Sequence, residues 1–460
     1  MKKHSFWQAD MLNGSIVKNL IIFAIPLMAS NVLQSLYNMA DMIVLGRFAG
    51  KEALAAVGAT GSTYSLIINV FLGLATGAGV LVAQQIGAAN HRELSDTVHT
   101  SAAVSVIIGL FVGVMGFFLS PVILKAIDTP ADVIDGAVIY LRIMFAGIPA
   151  LTVYNFGAAI LRSAGDSRRP LFYLAISGML NVLLNLVFVL IFNMDVAGVA
   201  IATIVSQYVS AVLVWAHLLK TGECYYFNIR QIRICPKQLW GMIRIGIPSG
   251  LQMAMFSISN LIIQSAINGF GTDYVAASTT SSNVENLCFI SMGALTQAVM
   301  VFAGQNTGAG QIKRLKSIFL KSLATTVVVA FILGGVCVLL GEPLMHMYTS
   351  EDQVIKIGLE RLTLICPLYF ICGIYECALS VVRGMGYSFT PMIGAVVGIC
   401  AFRVVWVYTI FEWSPLFSTL LYSYPVSWGL TFLFQAGLFV IFYNQRIKKQ
   451  SAVAQIAAEA

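Results

Sequence analysis

Apolar residues run along this chain in long, nearly unbroken blocks, divided by short polar breaks rich in Gly, Pro and charge. Twelve blocks reach the length of about 20 residues that a helix needs to cross a bilayer. They cover roughly 15–42, 54–83, 98–124, 136–160, 170–192, 196–219, 240–268, 275–303, 317–341, 354–381, 388–411 and 418–443. Blocks this continuous predict helices, because a membrane barrel would instead show short alternating segments. The predicted fold is an all-α membrane protein with twelve transmembrane helices.

The pattern is duplicated. IPLMASNVLQSLYNMADMIVLGRFAG returns as IPSGLQMAMFSISNLIIQSAINGFG, with Pro248 standing 222 residues after Pro26 and Phe270 standing 222 after Phe48. GLATGAGVLVAQQIGAANHREL is answered by GALTQAVMVFAGQNTGAGQIKRL, and LRSAGDSRRP by VRGMGYSFTP, in which Arg162/Arg383, Gly165/Gly386 and Pro170/Pro391 stand 221 apart. Spacing this constant marks an internal repeat. With an even number of spans per copy, both copies point the same way, which predicts two six-helix lobes related by a pseudo-two-fold along the membrane normal. The division expected is 1–219 for the first lobe, 220–239 for a cytoplasmic linker, 240–445 for the second lobe and 446–460 for a cytoplasmic tail. The linker has room for an amphipathic surface helix, and RFAGKEALAAVGAT reads as a short extracellular turn.

Composition agrees: 58% of the 460 residues are hydrophobic and only 10% charged, against about 25% charged in a soluble domain. A net charge of +7 raises nucleic acid as a partner, but the placement of the charges points to a lipid bilayer. Basic residues such as Arg92, Arg168, Arg169, Lys313, Arg314, Arg446 and Lys448 fall on one side, with Lys2 and Lys3 at the start. Acids such as Asp128, Asp132, Asp135, Asp195, Asp273, Glu351 and Glu412 fall on the other. This is the positive-inside pattern, and it puts both termini in the cytoplasm. No cleaved signal peptide is read at the start. The eight cysteines lack the paired spacing of a zinc site and read as packing residues. There is no phosphate-binding loop of the G-x-x-x-x-G-K-S/T kind and no H-E-x-x-H, so neither an ATP-driven pump nor an enzyme is expected, and no cofactor is called for.

An ion gradient must then supply the energy, which directs attention to ionisable residues at membrane depth: Asp41, Glu285, Glu376 and Arg403. Each costs about 2.5–3.5 kcal/mol at a helix centre if it faces lipid. Asp41 follows Asn31, Gln34, Tyr37 and Asn38 on one polar stripe. Asn181 and Asn185 stand one turn apart on another helix, with Thr203 in the next span and Asn155 and Tyr140 in the span before. Oxygens from an Asp, two Asn and a Thr suit Na⁺, and the same set suits a hydrogen-bond network around a proton-binding Asp; helix packing by Asn and Thr is the alternative. Glu285, Glu376 and Arg403 form a set of net charge −1, fit to attract a cationic substrate or to neutralise itself.

On these stretches the chain resembles the multidrug and toxic compound extrusion (MATE) family, over essentially its whole length. The resemblance implies two six-helix lobes in a V shape around a central cavity. It also implies export of amphiphilic, often cationic drugs or metabolites in exchange for H⁺ (preferred) or Na⁺, by a monomer in the bacterial inner membrane. It assigns ion coupling to Asp41, Asn181, Asn185 and Thr203. The cavity falls to Gln34, Tyr37, Tyr140, Asn155, Glu285, Glu376 and Arg403, and Pro26 is the expected hinge. Some relatives carry an acid where this chain has Asn185, which weakens a full Na⁺ site. NorM-like members place an acid where this chain has Met255-Phe256-Ser257, so the first-lobe acid resembles the DinF-like pattern. A lipid-linked precursor flippase of related architecture is the alternative reading.

Overall fold

The computed structural model describes residues 9–127, 129, 130 and 133–459. Asp128, Asp132, Lys2 and Lys3, used above in the charge pattern, lie outside them. The described chain is mostly helical, with twelve helices long and apolar enough to cross a membrane. These are α1 Ile16–Phe48, α2 Gly50–Gly87, α3 His91–Ala126, α4 Ile134–Ser163, α5 Arg168–Ile191, α6 Asp195–Lys220, α7 Pro236–Asn268, α8 Thr272–Gly308, α9 Ile312–Leu339, α10 Asp352–Gly384, α11 Phe389–Phe411 and α12 Phe417–Glu459. Each expected span has one helix, and most helices overrun the apolar block, because a helix keeps its internal hydrogen bonds beyond the hydrocarbon. Large apolar side chains such as Phe118, Met179 and Leu433 point outward and are mostly exposed, as a surface meant for lipid tails requires.

The backbone carries the repeat independently of side chains. Gly50 and Gly271, Ala89 and Gly310, and Gly165 and Gly386 all have positive φ, and each pair stands 221 residues apart. The sharp reversals therefore recur at fixed places in both copies. One of them refines the sequence reading of RFAGKEALAAVGAT as a short turn: the turn is confined to Gly50, and the residues on either side are helical. A π-helical turn, Leu45–Ala49, runs straight up to Gly50 at φ 89°, where α2 begins. A single residue in the left-handed region, open to Gly at no steric cost, does the work of a loop.

By packing, the described chain forms two compact units: residue 9 with 29–250, and 10–28 with 251–459. The division therefore does not fall at the 220–239 linker. It falls inside the first helix of each copy, at Met28/Ala29 and Gly250/Leu251, just past Pro26 and Pro248. Glycines explain why the start of α7 packs with the first unit. Gly73 and Gly77 of α2 let the backbones close up, since a Cβ on Gly73 would lie 2.3 Å from the Gly250 nitrogen and one on Gly77 2.4 Å from the Met242 oxygen. In the second unit, the Asn306 amide donates to the Met11 carbonyl at 3.0 Å and Arg314 donates to that of Gly14 at 3.1 Å.

The linker does not form a surface helix. It holds a three-residue 3₁₀ turn, Ile229–Gln231, and buries Tyr225 and Phe227 in an apolar cluster with Val98, Leu161, Val214 and Trp215. Phe227 stacks edge-on against Trp215 at 4.8 Å. The Asn228 N–H donates to the His99 Nε2 at 3.2 Å, and Arg233 and Lys237 pair with Asp96 and Glu93 of α3. The loop between α4 and α5 is anchored by Asp166, which accepts from the Arg169 backbone N–H at 3.0 Å and from its guanidinium at 2.8 Å. Burial pushes the Asp166 carboxyl up from its ordinary range, and these bonds from Arg169 pull it back in part.

Candidate functional site

The first unit brings its expected polar residues into one network. Asp41 sits on α1, seven residues before Phe48, and its carboxylate accepts from Asn185 Nδ2 at 2.5 Å and from the Thr203 hydroxyl at 3.3 Å. The Asn181 amide donates to Thr203 Oγ1 at 3.3 Å, and Asn181 Oδ1 accepts from Asn185 at 3.4 Å. The i, i+4 spacing of Asn181 and Asn185 puts both amides on the face of α5 that meets α1 and α6. Asn185 is fully buried, and its Oδ1 has no hydrogen-bond partner, a costly state for an amide oxygen at this depth.

Asp41, Asn181 and Thr203 of this network line a cavity of about 100 Å³. Gln34, Tyr37 and Asn38 line it with Asp41, and Asn155, Asn181, Thr203, Ser206, Gln207 and Ser210 supply further polar groups between the apolar Leu151 and Leu174. Tyr37 reaches across to donate to the Ala175 carbonyl at 3.3 Å. Its ring occupies the space left by Gly178, where an added Cβ would lie 1.7 Å from the ring. Asn155 lines the cavity with its amide turned back to the Leu151 carbonyl at 2.7 Å. Tyr140 does not line it; it packs against the apolar cluster of Val44, Leu45, Val57, Val189 and Val199.

In the second unit, Glu285, Glu376 and Arg403 each bond to other partners, and Arg403 and the Glu285-bound Arg361 share the Tyr424 ring. Glu285 is held bidentately by Arg361, at 2.8 Å from Nε and 3.2 Å from a terminal nitrogen. Arg361 is a buried cation that the sequence reading missed. It lies in LERLTLICPL, inside the expected 354–381 block, with Glu360 and Lys356 nearby. With Arg361 counted, the set is neutral when fully ionised, which removes the net −1 attraction for a cation. Glu376 accepts from the Tyr375 hydroxyl at 3.1 Å. Arg403 donates to Ser427 at 3.2 Å and Asn260 at 3.3 Å, and its guanidinium lies 4.2 Å from the Tyr424 ring centre.

Among the described residues no group of three or more His, Cys, Asp or Glu could hold a metal, and all eight cysteines are free. Cys288 and Cys337 touch through their sulfurs at 3.4 Å inside an apolar core.

The profile of the MatE family matches residues 26–187 and, a second time, 248–409. The chain belongs to the MatE family. The two matched segments begin 222 residues apart, the spacing of Pro26 and Pro248. The protein described as "Probable multidrug resistance protein YoeA" of Bacillus subtilis is 25% identical over 444 residues, covering 94% of this chain and 95% of the relative. "Probable multidrug resistance protein NorM" of Thermotoga maritima is 28% identical over 403 residues, covering 85% and 84%. An outward-facing multidrug resistance MATE transporter of the MOP superfamily superposes with a TM-score of 0.90 at 20% identity, covering 97% of this chain and all of that one. At that identity the likeness speaks for the fold. MatE proteins are multi-pass membrane transporters and not enzymes.

Proposed function

We propose that this MatE protein is a secondary active antiporter that exports amphiphilic, often cationic compounds from the cytoplasm in exchange for H⁺, with Asp41 as the coupling carboxylate. The observation that carries the reading is a carboxylate at membrane depth, bound by Asn185 and Thr203, in the wall of a mixed polar and apolar cavity. Such a cavity suits a ligand with both kinds of surface. The names of its relatives, multidrug resistance proteins, point the same way.

Asp41 here accepts two hydrogen bonds, the arrangement of an ionised carboxylate. A proton placed on the oxygen that faces Asn185 turns it from acceptor into donor and sets it against the Asn185 amide, so that contact must rearrange, whereas Thr203, whose hydroxyl also donates to the Val199 carbonyl at 2.9 Å, can accept. The unpartnered Asn185 Oδ1 is the available acceptor once the amide turns. Rearrangement at Asp41 then acts along α1, whose packing changes from one unit to the other just after Pro26; a helix lacking one backbone hydrogen bond there bends at low cost. A membrane potential negative on the cytoplasmic side favours inward flow of the coupling ion by about 2.3 kcal/mol per charge per 100 mV.

The test is uptake of a fluorescent organic cation into everted vesicles under a pH gradient or a Na⁺ gradient, imposed separately, for wild type and Asp41→Asn. Uptake driven by the pH gradient in wild type and absent in the variant supports the reading. Uptake in neither gradient, or normal uptake by the variant, overturns it.

A further inference from the structure

The linker between α6 and α7 is clipped to α3 on one side and bare on the other. The Arg233 carbonyl accepts from the Thr100 hydroxyl at 3.3 Å, which accepts in turn from the Cys235 N–H at 3.1 Å, and Arg233 and Lys237 pair with Asp96 and Glu93. Tyr225 and Phe227 go into the core. Ile229, Ile232 and Ile234 turn outward, with Ile229 61% exposed. Exposed apolar side chains gathered among polar ones mark a surface made for a partner or a membrane.

The bare face continues into α7. Trp240 is 65% exposed, and Arg244, Ile247 and Leu251 follow it at spacings of four, three and four, all exposed, while Gln238, Met242 and Ser249 are buried on the opposite side. The order Trp, Arg, Ile, Leu along one stripe fits a helix entering a bilayer, with an aromatic ring at the boundary, a cation at headgroup depth and apolar side chains among the acyl tails. Among the described residues, the Arg244 guanidinium has no ion-pair or hydrogen-bond partner, and neither has that of Arg230 in the linker. These two charges are uncompensated, whereas those of Arg233 and Lys237 are met by acids.

We propose that this face docks on anionic phospholipid of the inner leaflet: Ile229, Ile232, Ile234 and Trp240 enter the headgroup boundary, and Arg230 and Arg244 bind lipid phosphates. The side on which Lys and Arg gather is the cytoplasmic one, and the leaflet there carries the negative surface potential that attracts juxtamembrane cations. A soluble acidic protein fits less well, because it could cover the isoleucines but would not reach Ile247 and Leu251, which continue the stripe at the depth of the acyl tails. The inference goes beyond the antiport reading and depends on neither the cargo nor the coupling ion.

The experiment reads Trp240 in the full chain, purified and reconstituted in vesicles, with lipids brominated near the headgroup end of the acyl chain as quenchers. The share of tryptophan fluorescence that Trp240→Phe lacks reports this site alone. Each cation near an anionic surface is worth about a fivefold preference, so two give up to about 25-fold. Wild type is expected to be quenched at a correspondingly lower mole fraction of brominated phosphatidylglycerol than of brominated phosphatidylcholine. Arg230→Gln and Arg244→Gln should each lower that preference about fivefold, and salt at 1 M, which shortens screening to about 3 Å, should remove most of it. Arg233→Gln combined with Asp96→Asn takes away a cation together with its acid and should leave the preference unchanged. Equal quenching by the two lipids, a preference that Arg230→Gln and Arg244→Gln leave intact, or an equal loss in the Arg233→Gln/Asp96→Asn double variant overturns the proposal. Quenching by neither lipid also overturns it and gives the surface to a soluble partner. If Arg244→Gln does not fold, Arg230→Gln, outside the spans, decides with the salt series.

Discussion

Replacing one partner of the Glu285–Arg361 pair should cost far more than replacing both. Each residue is only 5% exposed, and the pair joins α8 to α10 inside an apolar cluster containing Val284, Cys288, Leu362 and Ile365. Glu285→Met leaves a guanidinium at membrane depth without its two carboxylate bonds, and Arg361→Met leaves the carboxylate bare. Breaking a buried pair from one side costs about 3–5 kcal/mol, whereas replacing the pair by apolar residues of similar volume is near neutral. Arg361 also lies 5.9 Å from the Tyr424 ring, which adds up to about 1 kcal/mol to its loss. Each single variant is therefore expected to lose about 3–5 kcal/mol and the double variant about 1 kcal/mol, a coupling of several kcal/mol. The assay is a double-mutant cycle on detergent-driven unfolding in mixed micelles, followed by tryptophan fluorescence. Additive losses, or single losses below about 1 kcal/mol, would refute the claim that the two charges compensate each other in a dry site.

Three further outcomes are expected. Gly165 has φ +88°, and an added Cβ would lie 2.7 Å from the Ala9 oxygen, so Gly165→Ala should lose at least about 1–2 kcal/mol; Gly222→Ala, with open space around it, should stay within about 0.5 kcal/mol in the same unfolding assay. Because burial raises the Asp166 carboxyl, its protonated form suits the fold. Its contribution is full below the ordinary range near about 4 and is lost as pH rises through the higher folded value. Asp166→Asn keeps an oxygen for the Arg169 N–H, so its stability should fall less than that of wild type over that rise; parallel pH profiles of the two unfolding free energies would count against this. Gly178→Ala should push the Tyr37 ring into the cavity and raise the half-saturating concentration of organic cation several-fold with little change in expression, which dose-response uptake measures.

Much of the fold was legible because the bilayer imposes a simple rule on sequence: long apolar blocks become helices, and a duplicated block becomes a duplicated helix. The Asp41 contacts were legible for the same reason, since Asn181, Asn185 and Thr203 are polar where lipid would penalise them. What escaped depended on tertiary contact. Tyr225 and Phe227 look like ordinary loop aromatics until α3 and α6 provide a core for them. Arg361 lies inside the expected 354–381 block, and its pairing with Glu285, 76 positions away, shows only in the fold. Residues 10–28 pack with the second unit through contacts such as Asn306 to Met11, nearly 300 positions away in sequence. The confinement of the RFAGKEALAAVGAT turn to Gly50 escaped because one residue of positive φ leaves no polar stretch to read.

The central claim, that cargo and ion exchange through Asp41, is tested most directly by running the exchange backwards. Purified protein is placed in liposomes containing a pH-sensitive dye at equal pH on both sides, and an organic cation is added outside. Coupling is reciprocal, so wild type should move protons outward as the cation enters, and Asp41→Asn should move none. Cation entry without proton movement in wild type, or equal proton movement in Asp41→Asn, would contradict the account.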